Sequence, residues 1–324
     1  MRHLTTRFFA VLLTAVAIAS PALSQSAYPS KPIRVIVPYP AGGVVDLFAR
    51  VVTNAMAKRW SQSIVVEPRP GASSNIGTLA ALRSEPDGYT WLMVGPSFAA
   101  NPSLSKDAAW NPMKDFVGLG VVGYSPMIIV ATEKLPVKTL RDVVELAKAK
   151  PKEITAGTMN GSSGQFLLEA LKHASGADFL MVPYAGAPPI VADLINGNVQ
   201  ITGLPLTVAL AQIQSGRIKA IASGSASRSS LLPDVPTFAE AGYAEAALIP
   251  WYGFVAPRGT PAAIIHQINN EMNEVLKLPE VREQLVKLGA ELVRPMTSAD
   301  VDQLIKSDTE RYSTLIKRAN IKVN

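Results

Sequence analysis

The sequence predicts an α/β protein of two lobes, each built on a mostly parallel sheet, with a cleft between them. Short β-rich runs alternate with helical stripes along most of the chain. Such alternation builds parallel sheets covered by helices. It comes in two successive sets, separated at Gly123-Tyr124-Ser125-Pro126 and again at Ile249-Pro250-Trp251-Tyr252-Gly253. In each set one strand ends in a small-residue loop that opens a helix, Ala41-Gly42-Gly43 in the first and Gly161-Ser162-Ser163 in the second. Two such loops, one per lobe, would face each other across the cleft.

Residues 1–24 are set aside before the fold is read. Arg2 and Arg7 flank the start of an apolar run, Phe8 to Ala19, and Ala22-Leu23-Ser24 has a small-x-small cleavage pattern. This is the pattern of a secretory signal peptide, and the run is too short to span a bilayer. The expected organisation is therefore a signal peptide at 1–24, a first lobe from 25–124 and 250–324, and a second lobe from 125–249. There is no cysteine, which excludes a lipid anchor, a disulfide and a thiolate metal site. Removing Arg2 and Arg7 lowers the formal charge from +6 to +4. No basic cluster stands out, so nucleic-acid binding is a poor reading.

The elements follow in order. Ile33 to Val37 reads as a strand. Val44 to Trp60 reads as a helix, with apolar residues at 44, 47, 48, 51, 52, 55 and 56. Ile64 to Val66 and Trp91 to Val94 are further strands, and Asn75 to Leu82 is a short helix entered through Ser73-Ser74. In the second set the strands are Met127 to Ala131, Ile154 to Ala156, Phe179 to Val182, Val199 to Thr202 and Ile218 to Ala222. Its helices are Thr139 to Lys148, Gln165 to His173, Pro189 to Ile195 and Leu206 to Ile213. After the second crossing come helices over Pro261 to Leu276, Pro279 to Leu288 and Ala299 to Lys317, with Thr260 and Ser298 as plausible caps.

The Gly-Gly loop carries the first chemical signal. A helix opening at the carboxyl end of a strand leaves its first amides unpartnered, and with the helix dipole they favour an anion. Gly42 and Gly43 let a ligand approach the main chain closely. No lysine stands beside them, so charge would be met by amide dipoles, which suits a carboxylate better than a triphosphate. Asp46, in the first helical turn, either caps the helix, braces the loop or meets a polar ligand group. In the second loop, Ser162 or Ser163 caps the next helix or turns a hydroxyl to a ligand.

The segments YPSKPIRVIVPYPAGGVVDLFAR (28–50), VVEPRPGASSNIG (65–77), PDGYTWLMVG (86–95), VPYAG (182–186), LPDVPTFAEAG (232–242), PWYGFVAPRGTP (250–261) and PEVREQLVKLGAE (279–291) closely resemble the periplasmic solute-binding proteins of tripartite tricarboxylate transporters, the Bug or TctC family. The resemblance runs over essentially the whole chain after residue 24. It implies a two-lobed periplasmic-binding fold of type II that closes on an organic carboxylate. It also implies a periplasmic location, no cofactor, a monomer, and delivery to membrane permease subunits. It assigns ligand contacts to Tyr39, Ala41, Gly42, Gly43 and Asp46, and to Asn160, Ser162, Ser163 and Gln165. Ser97 and Tyr184 become wall residues.

One departure concerns ligand class. Many relatives have an Asp-Asn pair after the strand that here begins at Val199, where this chain has Leu204 and Pro205. The missing carboxylate argues against amino-acid ligands. With Phe98 and Phe166 nearby, the apolar pair would favour a ligand with an apolar or aromatic body; alternatively Leu204 only packs.

Other motifs fall away. GLGVVG, Gly118 to Gly123, has the letters of a dinucleotide fingerprint but does not open a helix. GSSG is not the G-x-S-x-G elbow of hydrolases. His173 and His266 lie on predicted helices and read as surface or packing residues, and no close-set acidic or histidine cluster suggests a metal. A secreted hydrolase using Ser162 or Ser163 would therefore lack a base. A sensor that presents a bound carboxylate to a membrane kinase would use the same cleft as a transport receptor.

Overall fold

The computed structural model describes residues 28–106, 108–159, 161–318 and 321. The expected signal peptide lies outside them. Four strands, β1 (Ile33–Val37), β2 (Ile64–Pro68), β3 (Thr90–Val94) and β4 (Phe116–Tyr124), precede the first crossing. β5 (Met127–Thr132), β6 (Thr155–Thr158), β7 (Leu180–Pro183), β8 (Ile201–Pro205) and β9 (Ile218–Ser223) follow it, and β10 (Trp251–Pro257) comes after the second. They form two five-stranded sheets, ordered β2-β1-β3-β10-β4 and β7-β6-β8-β5-β9.

Both sheets are mixed. β1 pairs parallel with β2 and β3, and β6 pairs parallel with β7 and β8. β10 runs against both its neighbours, β3 and β4, and β5 runs against β8 and β9. The reversed strands are the two that follow the crossings. A chain that leaves one sheet at its carboxyl edge and enters the other at that sheet's carboxyl edge must run against the strands already there. Strand–helix alternation does not carry this information.

The helices are α1 (Val44–Trp60), α2 (Asn75–Leu82), α3 (Pro96–Leu104), α4 (Pro112–Asp115), α5 (Leu140–Ala149), α6 (Ser163–Ser175), α7 (Ala187–Asn196), α8 (Leu206–Gln214), α9 (Ala262–Val275), α10 (Pro279–Lys287) and α11 (Ser298–Arg318). α1 buries Val45, Phe48, Ala49, Val52 and Met56, the i, i+3, i+4 stripe of an amphipathic helix. β4 contains the GLGVVG letters as a strand. A Cβ at Gly118 would lie 2.5 Å from Val301 of α11, and one at Gly120 would lie 2.3 Å from the Met272 sulfur of α9. These glycines are packing positions for the C-terminal helices.

α11 joins the two halves. Ser298 donates to the Gly118 carbonyl, and the Gly118 amide donates to Asp302 at 2.7 Å, on the first sheet. Near its other end, Tyr312 packs on Phe166 of α6 with ring centroids 5.1 Å apart. The expected caps shift by one residue or change role. Thr297, not Ser298, accepts the Asp300 amide at 3.1 Å, and Thr260 donates to the Pro257 carbonyl instead of capping α9.

Candidate ligand-binding site

The carboxyl ends of β1 and β3 bring Tyr39 and Ser97 together. The Tyr39 phenol hydrogen-bonds the Ser97 hydroxyl, which in turn meets the Ser74 hydroxyl at 2.8 Å. Ser74 is buried, and Tyr39 and Ser97 are half-buried beside the exposed residues 40–43. Burial pushes the Tyr39 phenol up, while the Ser97 and Ser74 hydroxyls and the Ser97 amide pull it down, leaving it above its ordinary value. Ser74 was missed as a site residue by the sequence reading, which took Ser73-Ser74 only as a helix entry. Its signal lay in the GASSN run, where Ala72, Ser73 and Ser74 adopt φ of 45°, 53° and 79°. Three consecutive left-handed residues without a glycine cost about 1–2 kcal/mol each.

The Gly-Gly loop is braced from within. Gly42 has φ +78°, and its amide donates to Asp46 Oδ2 at 2.9 Å. The same oxygen accepts from Arg50 Nε at 2.9 Å. Burial pushes the Asp46 carboxyl up, but Arg50 and the Gly42 amide outweigh it and hold it below its ordinary value. No side chain caps α1, so its leading amides stay available at the loop. Asp46 thus braces the loop through Oδ2, while its buried Oδ1 has no partner among the described residues.

The second loop repeats the device. Gly161 has φ +70°, and its amide donates to Gln165 Oε1 at 2.7 Å. Ser162 caps α6 by accepting the Gln165 amide at 3.3 Å. Ser163, the first residue of α6, is half-buried. Asn160 lies outside the described residues. Tyr312 packs on Phe166 in the first turn of α6, tying the base of this loop to α11.

The remaining assignments divide. Tyr184 is half-buried and donates to Asp193 at 2.6 Å; burial and that carboxylate push its phenol up to about 12. Pro205 ends β8 half-buried. Leu204 packs instead of lining a pocket: it is 1% exposed, paired with Ile128 and clustered with Val130, Leu194 and Val199. Phe98 and Phe166 also turn inward, Phe98 against Phe116 at 5.3 Å and Phe166 against Tyr312. The expected apolar shelf at the cleft is absent from these three positions, because each side chain faces its own sheet's core. A groove of about 430 Å³ opens elsewhere, between α6 and α11 past His173 and Arg311, and none of the loop residues lines it.

Residues 48–321 match the model of the tripartite tricarboxylate transporter family receptor. The chain belongs to this TctC family. BugT of Bordetella pertussis is 34% identical to it over 98% of the chain and 99% of BugT. The solved periplasmic binding protein BugD is 30% identical over 91% of the chain and 99% of its own, with a TM-score of 0.78. A Rhodopseudomonas palustris protein solved with adipate is 29% identical over 91% of the chain and 99% of its own, with a TM-score of 0.81. The TctC receptor fold, two lobes on two mixed sheets, is thus that of the periplasmic solute-binding proteins. No helix among the described residues of this TctC protein is long and apolar enough to cross a membrane.

Proposed function

We propose that this protein is a periplasmic receptor that captures an organic carboxylate between its lobes and delivers it to the membrane subunits of a tripartite tricarboxylate transporter. It acts as a monomer without a cofactor, with lobes at 25–124 plus 250–324 and at 125–249. The observation that carries this reading is the pair of braced loops. Each sheet offers a glycine of positive φ tied to a side chain four residues on, in front of a helix start. Such a start favours an anion through oriented amides.

The ligand carboxylate is met by neutral donors. Arg50 is engaged by Asp46, and residues 40–43 contain no cation. The Ala41 amide, the leading amides of α1 behind Gly43 and the hydroxyls of Tyr39, Ser162 and Ser163 supply the contacts, while Asp46 holds the Gly42 amide and Ser74 and Ser97 stand behind Tyr39. Tyr184 and Pro205 complete the wall, while Asp46 and Gln165 hold the loops.

The ligand body is uncharged and aliphatic, as in a di- or tricarboxylate. Pro205, half-buried at the end of β8, offers no acid to meet an ammonium group, and an unpaired buried charge costs several kcal/mol. With Phe98, Phe166 and Leu204 packed into cores, an aromatic body loses the shelf it would need. The adipate carried by the R. palustris relative has this chemistry.

The test is a thermal-shift screen of organic acids on the purified protein. A ligand at 100 times its dissociation constant adds about 2.7 kcal/mol of stability. Stabilisation by aliphatic dicarboxylates supports the reading; no shift with any carboxylate removes it.

A further inference from the structure

Behind the proposed site, Asn101 of α3 is 2% exposed and lies against the left-handed turn Ala72–Ser74. Its Nδ2 donates to the Ser73 carbonyl at 2.6 Å and to Asn75 Oδ1 at 2.8 Å, and lies 3.4 Å from the Ser74 hydroxyl. A backbone carbonyl can only accept, so the amide must face this turn with its NH2 group. The turn has no glycine to relax it, and Asn101 is the side chain that holds its carbonyl.

The Ser74 hydroxyl then leads outward through Ser97 to Tyr39. With the Asn101 NH2 on one side of Ser74, the Ser74 proton is directed toward Ser97. Followed in that direction, the Ser97 hydroxyl donates to the Tyr39 oxygen, which also lies beside the Ser97 amide. The Tyr39 proton is then left for a ligand at the carboxyl end of β3, where the phenol oxygen lies against Gly95.

We propose that Asn101 is a positioning residue for ligand recognition: by holding the Ala72–Ser74 turn it sets the direction of the Ser74–Ser97–Tyr39 hydroxyl chain and so aims the Tyr39 phenol proton at the ligand carboxylate. This rests on the carboxylate-receptor reading above. Asn101 touches no ligand and acts through Tyr39.

The test is a double-mutant cycle in full-length protein, read by calorimetric titration with adipate. Asn101→Ala and Tyr39→Phe should each weaken adipate about tenfold, with the double variant no weaker than about the worse single one, because coupled residues are not additive. A purely structural role for Asn101 predicts multiplied losses, and that result overturns the inference. So does an unchanged affinity in either single variant. If Asn101→Ala loses cooperative melting, Ser74→Ala replaces it in the cycle, with the same non-additivity expected and the same multiplied losses overturning the inference. Failure of the unmutated protein to bind any carboxylate would remove the receptor reading and this inference together. Binding with additive losses would remove this inference alone.

Discussion

The Gly42 amide donates to the Asp46 carboxylate at 2.9 Å, closing the Gly-Gly loop onto the first turn of the helix it opens. The loop therefore keeps its shape without a ligand, and α1 needs no capping side chain to do so. Pre-formed donors are an economical way to bind a small anion, since little ordering entropy is lost on binding.

Gly43 separates binding from folding. It adopts φ −74° and ψ 165°, an extended conformation open to any residue, and a Cβ there would meet only the Pro40 carbonyl at 3.3 Å. Gly43→Val should abolish carboxylate binding by filling the approach to the amides, while shifting stability by about 1 kcal/mol or less, as at other unburied positions. Calorimetry and thermal melting on the same sample check this; wild-type affinity would show that ligand does not approach this loop.

Asp46 gives a pH signature. Its folded pKa lies below the ordinary value, so the stability it contributes is complete above about pH 4 and is lost as pH falls through the lower folded value. Asp46→Asn should destabilise the protein by about 1.5–3 kcal/mol at neutral pH, the range for hydrogen bonds to a charged group. The difference from the unmutated protein should shrink steadily below about pH 4. In denaturant titrations across that range, a constant difference would show that the charge on Asp46 contributes nothing to stability.

Leu204 belongs to stability. Its side chain is buried with Ile128, Val130, Leu194 and Val199, so Leu204→Ala should cost about 2–5 kcal/mol of folding free energy. The preference between adipate and glutamate should not change. A variant that folds as well as the unmutated protein but takes up glutamate would return Leu204 to the pocket.

Closure is the expected motion. The lobes connect near Tyr124–Pro126 and Pro250, and α11 packs on β4 of the first sheet and on α6 of the second lobe. Small-angle scattering should give a smaller radius of gyration with saturating adipate than without it. An unchanged radius would argue against a hinged cleft.

Much of the fold was legible, because long amphipathic stripes and short β-rich runs have clear periods. α1 and α2 fall where their stripes lie. What escaped has identifiable causes. α3 carries Pro96 and Pro102, which read as breakers. β4 is glycine-rich because helices press on it, and β10 begins inside a Pro-Trp-Tyr-Gly run that reads as a crossing. The site was legible as two loops but not as a network. Nothing local in the sequence links Tyr39 to Ser97 or Ser74, which only the register of β1 beside β3 brings together. Side-chain direction is also hidden, so Phe98 and Phe166 are expected near the cleft although each packs inward, and of the two readings open to Leu204 the structure shows packing.

If two braced loops hold a carboxylate with an uncharged, aliphatic body, calorimetric titration of the unmutated protein with adipate, citrate, terephthalate and glutamate under one buffer condition will rank the four accordingly. Adipate or citrate should bind tightest, terephthalate more weakly, and glutamate weakest, because its ammonium group finds no acid at Pro205. Tightest binding of glutamate would contradict the account.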